Sequence, residues 1–219
     1  MAKKKQPAPL DISSAIRIVL NHSIEKPELV IKAVDFLEEK SSSKPQLRVV
    51  RTLLNALDPM YRIHEDHNMK DEDRFRAYCH TMGSITNFLG SKKNAALIRE
   101  HDELAREAVS VLSTILYQPP TDWQDCTISW QHACRARRTL LEIGTQDSLY
   151  EVKKFNRHPF HENVSDWDGK EYEKEFQREL KDKLAVFKTC VAPKPTAAFK
   201  HSAAPASNKT VWTRDASKS

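Results

Sequence analysis

Only 4 of the 219 residues are glycine. Average usage of about 7% would place roughly fifteen in a chain of this length. Glycine lets backbone approach a phosphate closely and takes up positive φ in tight hairpins. A dinucleotide-binding α/β fold, a phosphate-loop NTPase and a hairpin-rich β-sandwich are therefore all disfavoured. Apolar residues make up 39% and charged residues 30%, which suffices for a core of moderate size.

The apolar residues recur at helical spacing along most of the chain. Asp11 is placed to cap a first helix carrying Ile12, Ala15, Ile16, Val19 and Leu20. Pro27 and Glu28 suit the first turn of a second helix, with Leu29, Val30, Val34 and Leu37 on its apolar side and the serines 41–43 as a linker. Pro45 opens a third helix through Leu47, Val50, Leu54 and Leu57. Asp58-Pro59 should close it, because the residue before a proline avoids the helical region. Residues 58–71 then read as a loop. Residues 26–37 and 44–55 share a Lys-Pro-x-Leu opening, but the likeness stops there and sets no longer repeat.

A long helix over 72–89 follows, with Phe75, Tyr78, Cys79, Met82, Ile85, Thr86 and Leu89 as its stripe and Gly90 as its C-terminal cap. One helix is expected from Ser91 to Pro119-Pro120. Another runs from Thr121 or Asp122 to Ile143, with Gly144 behind it. Thr145 caps a short helix to about Phe155, and 156–165 form a loop. Ser165 or Asp166 opens the last helix, with Tyr172, Phe176, Leu180, Leu184 and Phe187 along one side and Glu179 four residues before Lys183. The expectation is an all-α fold, a compact bundle or irregular array of seven to eight helices over 10–190. Disordered basic tails flank it at 1–9 and 191–219.

Charge is distributed unevenly. The total is +5. Lys3, Lys4 and Lys5 give residues 1–9 a charge of +3, and residues 188–219 carry +5, which leaves −3 for residues 10–187. The ends are cationic and the body is slightly acidic. No apolar run approaches the roughly 18 residues of a membrane span. The lysines at the start lead into Gln-Pro-Ala-Pro rather than an apolar segment, so neither a secretory signal nor a membrane anchor is expected. Cys79, Cys126, Cys134 and Cys190 show no close paired spacing and read as reduced thiols in a cytoplasmic or nuclear protein.

Candidate chemistry is thin. His64, His67, Cys79 and His80 invite a zinc reading, but adjacent Cys79 and His80 would point about 100° apart on a helix, and no second cysteine pair accompanies them. His158 and His161 read as loop histidines. No nucleophile elbow or cysteine-protease signature is present, so no enzyme, metal or cofactor is expected. Trp123 and Trp130 are seven apart and Arg137 is seven further on. Core filling explains both indoles; the alternative is an aromatic-plus-arginine surface that stacks on bases or on a partner. Arg135, Arg137 and Arg138 span more than one helix face, so at least one should be exposed.

Nucleic acid is the sharper expectation. Phosphate binding depends on local positive charge. The candidates are Lys3, Lys4 and Lys5, then Lys44, Arg48 and Arg51 on one helix face, then Lys92 and Lys93, then Arg135, Arg137 and Arg138, and lastly the tail lysines, with Arg48, Arg51, Arg135 and Arg138 as the leading body residues. Phe199 and Trp212 stand isolated in polar sequence, as anchors of a docking segment would. The sequence points to a non-enzymatic protein making protein–protein contacts in a nucleic-acid-associated assembly, with sequence-independent phosphate binding. The alternative is a protein-only adaptor using its C-terminal tail. Either reading leaves room for self-association.

Overall fold

Asp11 ends an extended entry and starts the first helix: its carboxylate accepts from the Ser14 amide at 2.7 Å. The computed structural model describes residues 10–65, 72–117, 126–159, 161–162 and 169–190. Nine helices and no strand occur among them: α1 (Ile12–Leu20), α2 (Pro27–Ser42), α3 (Leu47–Glu65), α4 (Glu72–Leu89), α5 (Lys92–Arg99), α6 (Asp102–Tyr117), α7 (Cys126–Ile143), α8 (Gln146–Phe155) and α9 (Lys170–Cys190). α4 packs against α2, α3 and α7, while α6 lies against α7 and α8. Tyr78, Met82, Ile85 and Leu89 of α4 are buried in the middle of this array, as their spacing predicts.

Four boundaries differ from expectation; one is the last helix, which opens at Lys170 rather than at Ser165 or Asp166, because Gly169 before it has φ of 88°, outside the right-handed helical region. The serines after residue 40 are not a linker. α2 runs to Ser42, and Ser41 is fully buried with its Oγ accepting from the Gln46 amide at 3.1 Å. The hydroxyl thus serves one of the orphan donors at the start of α3. Nor does Pro59 end α3, which continues through it to Glu65. Proline forfeits one backbone hydrogen bond, but Met60 and Tyr61 directly after it are buried. Their burial favours the helical path over the loop expected for 58–65; residues 66–71 lie outside the described set.

The single helix expected after Ser91 is two, which raises the count from seven or eight to nine. The break falls at Glu100 and His101. The Glu100 amide closes onto Ala96 at 3.0 Å, and the His101 carbonyl accepts from Ala105 at 2.8 Å as the next helix begins. Asp102 and Glu103 occupy the first turn of α6, where negative charge favours a helix start.

Two glycines act differently. Gly144 has φ of 64°, the left-handed conformation expected behind α7. Gly90 does not have positive φ. A side chain there would meet Thr139, whose Oγ1 would lie 2.6 Å from the added carbon. Gly90 therefore permits close approach of α4 to α7, where Thr139 donates to the Thr86 carbonyl at 2.9 Å.

Thr145 caps α8 as expected, its Oγ1 accepting from the Ser148 amide at 3.2 Å. Thr145→Ala should lower the unfolding free energy by about 1 kcal/mol, measured as a reduced urea midpoint at unchanged slope. A midpoint that did not move would show that this cap contributes nothing.

Candidate nucleic-acid interface

The described residues place the expected cations in two environments, a corner between α2, α3 and α5 and the α7 face. Lys3, Lys4, Lys5, Phe199 and Trp212 lie outside the described residues. Lys44 and Arg48 are exposed at the α2–α3 connection and the first turn of α3, and neither side chain is engaged in an ion pair among the described residues. Lys44 precedes the helix, so the shared-face argument applies only to Arg48 and Arg51. Lys93 Nζ donates to the Ser43 carbonyl at 3.1 Å, which brings the exposed start of α5, with Lys92, to the same corner. Arg51 is partly neutralised there by Glu103 at 3.4 Å.

The α7 arginines are mostly occupied within the fold. Arg138 pairs with Glu142 at 3.0 Å and Glu179 at 3.3 Å, with Tyr172 under its guanidinium at 5.9 Å. It braces α7 against α9. Arg137 is fully buried and meets both Glu173 oxygens, at 2.7 and 2.8 Å, a bidentate geometry. The Phe176 ring lies 3.9 Å from its guanidinium carbon. Burial alone would raise the Glu173 carboxyl; hydrogen bonds from Arg137 and Gln177 outweigh it and hold the group below its ordinary value. None of the three arginines is fully exposed. Trp123 and the side chain of Trp130 lie outside the described set.

The histidines after α8 belong to this packing. His161 Nε2 lies 3.4 Å from Glu173. His158 stacks on Phe155, with centroids 5.6 Å apart and planes at 16°, and meets Tyr117 edge-on at 5.3 Å. Tyr117 donates to the Glu151 carbonyl at 3.0 Å, and burial pushes its hydroxyl pKa well up. His80 is exposed; His67 and the side chain of His64 lie outside the described residues. Among the described residues no three His, Cys, Asp or Glu side chains gather as a metal site would require.

A groove that the sequence reading missed lies between α8 and α9. It encloses about 500 Å³ and is bordered by Lys153, Arg157 and Lys181 over a floor that includes Leu180 and Leu184. No carboxylate lines it, and none of the three cations is held in an ion pair among the described residues. Lys153 and Arg157 are four apart, a signal that was present, but Lys181 joins them only through the α8–α9 docking. No known protein family, curated protein or solved structure matches this chain. The geometry therefore stands as the basis for any reading of its role.

An apolar surface faces away at the α1–α2 turn. Leu20 is 52% and Ile24 80% exposed, with Leu29 beside them at 36%. Among the described residues no helix is long and apolar enough to cross a membrane.

Proposed function

We propose that this is a non-enzymatic helical protein of a nucleic-acid-associated assembly, binding phosphate backbone without sequence preference and contacting a protein partner. The observation that carries the reading is the α8–α9 groove: Lys153, Arg157 and Lys181 surround an apolar floor with no acid between them. Cations that track a phosphate chain are an ordinary means of holding a single strand; the floor here is aliphatic and offers apolar contact rather than an aromatic stacking platform. The corner of Lys44, Arg48, Lys92 and Lys93 offers a second phosphate contact, and Lys3, Lys4, Lys5 and the tail lysines extend the positive charge. The overall −3 of residues 10–187 confines binding to such local patches. The exposed Leu20, Ile24 and Leu29 supply the protein contact.

Anisotropy of labelled single-stranded RNA and DNA, titrated at rising salt, tests this. Each neutralised phosphate contributes about 0.7 to the log–log salt slope for a single strand. Changing Lys153, Arg157 and Lys181 together to glutamine should therefore flatten the slope by about two. No measurable binding at low salt would remove the reading and leave the protein-only adaptor, with the α1–α2 turn and the Phe199 and Trp212 segment as its contacts.

A further inference from the structure

We infer that the cleft between α4 and α7 is a binding site for a phosphate group, anchored by Arg135. The cleft encloses about 370 Å³, and its lining includes His80, Gly83, Ser84, Asn87, Gln131 and Arg135. Arg135 is half-buried, yet makes no hydrogen bond or ion pair with any described residue. Its neighbours Arg137 and Arg138 each hold carboxylates. A guanidinium withdrawn from water without a counter-ion is costly, and planar recognition of an oxyanion would relieve that cost. Gln131, part-buried, has a side-chain amide engaged with nothing among the described residues, and the exposed Asn87 adds a second free amide at the rim. Donors thus converge on one space that contains no carboxylate of its own. The nearby acid, Glu38, accepts from Ser84 at 2.8 Å through one oxygen while its other oxygen is buried without a hydrogen bond, and burial raises its carboxyl, which favours the neutral form.

Gly83 supports the assignment independently. It lies in the interior of α4, where glycine weakens a helix. A Cβ at this position would overlap Nη1 of Arg135. The missing side chain is what allows the guanidinium to lie against the α4 backbone. Because the overlap involves only the far end of a flexible side chain, Gly83→Ala displaces Arg135 and leaves the fold intact.

The phosphate has two possible sources, a free monoester or a diester within a nucleic-acid strand. Titration of the ¹⁵N-labelled full chain separates them. The probes are inorganic phosphate, adenosine 5′-monophosphate and a single-stranded oligouridylate, against sodium chloride at matched ionic strength. The readout is the Arg135 Nε–H signal with the amides of residues 79–87 and 131–135. Saturable shifts with phosphate or the mononucleotide, about tenfold or more weaker in Arg135→Gln and in Gly83→Ala, establish a monoester site. Shifts with the oligonucleotide alone, weakened by both variants, establish a backbone site. The Gly83→Ala protein should melt no lower than wild type, so its loss of binding cannot be attributed to unfolding. No saturable shift with any probe, or shifts that both variants leave unchanged, would overturn the site. The assignment does not rest on the α8–α9 groove: phosphate binding here with no salt-sensitive RNA binding would remove that reading and leave this one.

Discussion

Replacing Arg137 by alanine should destabilise the protein by about 3–5 kcal/mol, read as a large fall in the urea midpoint. Removing one member of a buried pair leaves the other charged and without its partner. Here the loss extends further, because the guanidinium also covers the Phe176 ring at 3.9 Å. Exchanging both partners for apolar residues, as Arg137→Met with Glu173→Leu, should cost much less than the single change, since no uncompensated charge remains. Equal losses in the two variants would refute the ion-pair account. Acidity provides a second check. Glu173 titrates below its ordinary 4.5 in the folded protein. Its contribution is therefore complete above that unfolded-state value and disappears as pH falls through the lower folded one. The gap between wild type and Arg137→Ala should accordingly narrow in acid.

Phe155→Ala should be comparably damaging, at about 3–5 kcal/mol. The ring is fully buried. It stacks on His158, meets Tyr117 edge-on at 5.6 Å and lies 6.1 Å from the His161 ring. Alanine would leave three rings facing a void. Because His161 touches both Phe155 and Glu173, this change and Arg137→Ala should not add: their combined effect should depart from the sum by more than about 0.5 kcal/mol. Additivity within that margin would mean that the aromatic cluster and the ion pair are independent.

Local signals were the ones legible in the sequence. Asp11, Thr145 and Gly144 act over one helical turn, and each occupies the role its residue type dictates. The stripe through Tyr78, Met82, Ile85 and Leu89 was readable because a buried face repeats with the helix. Pro59 misled because a local penalty was weighed without the burial of Met60 and Tyr61, which depends on distant helices. The site followed the same rule. Lys44 and Arg48 were visible as charges, whereas the occupation of Arg138 and Arg51 by acids from other elements was not. Arg137 read as part of an indole line because its partner, Glu173, is 36 residues away. The α8–α9 groove and the α4–α7 cleft exist only between elements, so no spacing within one element could announce them.

The attachment of α9 has a dynamic consequence. Its grip on α7 is largely ionic, through Arg137, Arg138 and Lys183, the last donating to the Leu141 carbonyl at 2.8 Å; among its described side chains Phe176 and Leu180 are the deeply buried apolar ones, with Leu184 and Phe187 partly buried beside them. Such a segment is suited to lift away as a unit while the other helices stay closed. Lys181 would leave with it, so the α8–α9 groove exists only in the latched molecule, and unlatching would dismantle the phosphate contact proposed for it.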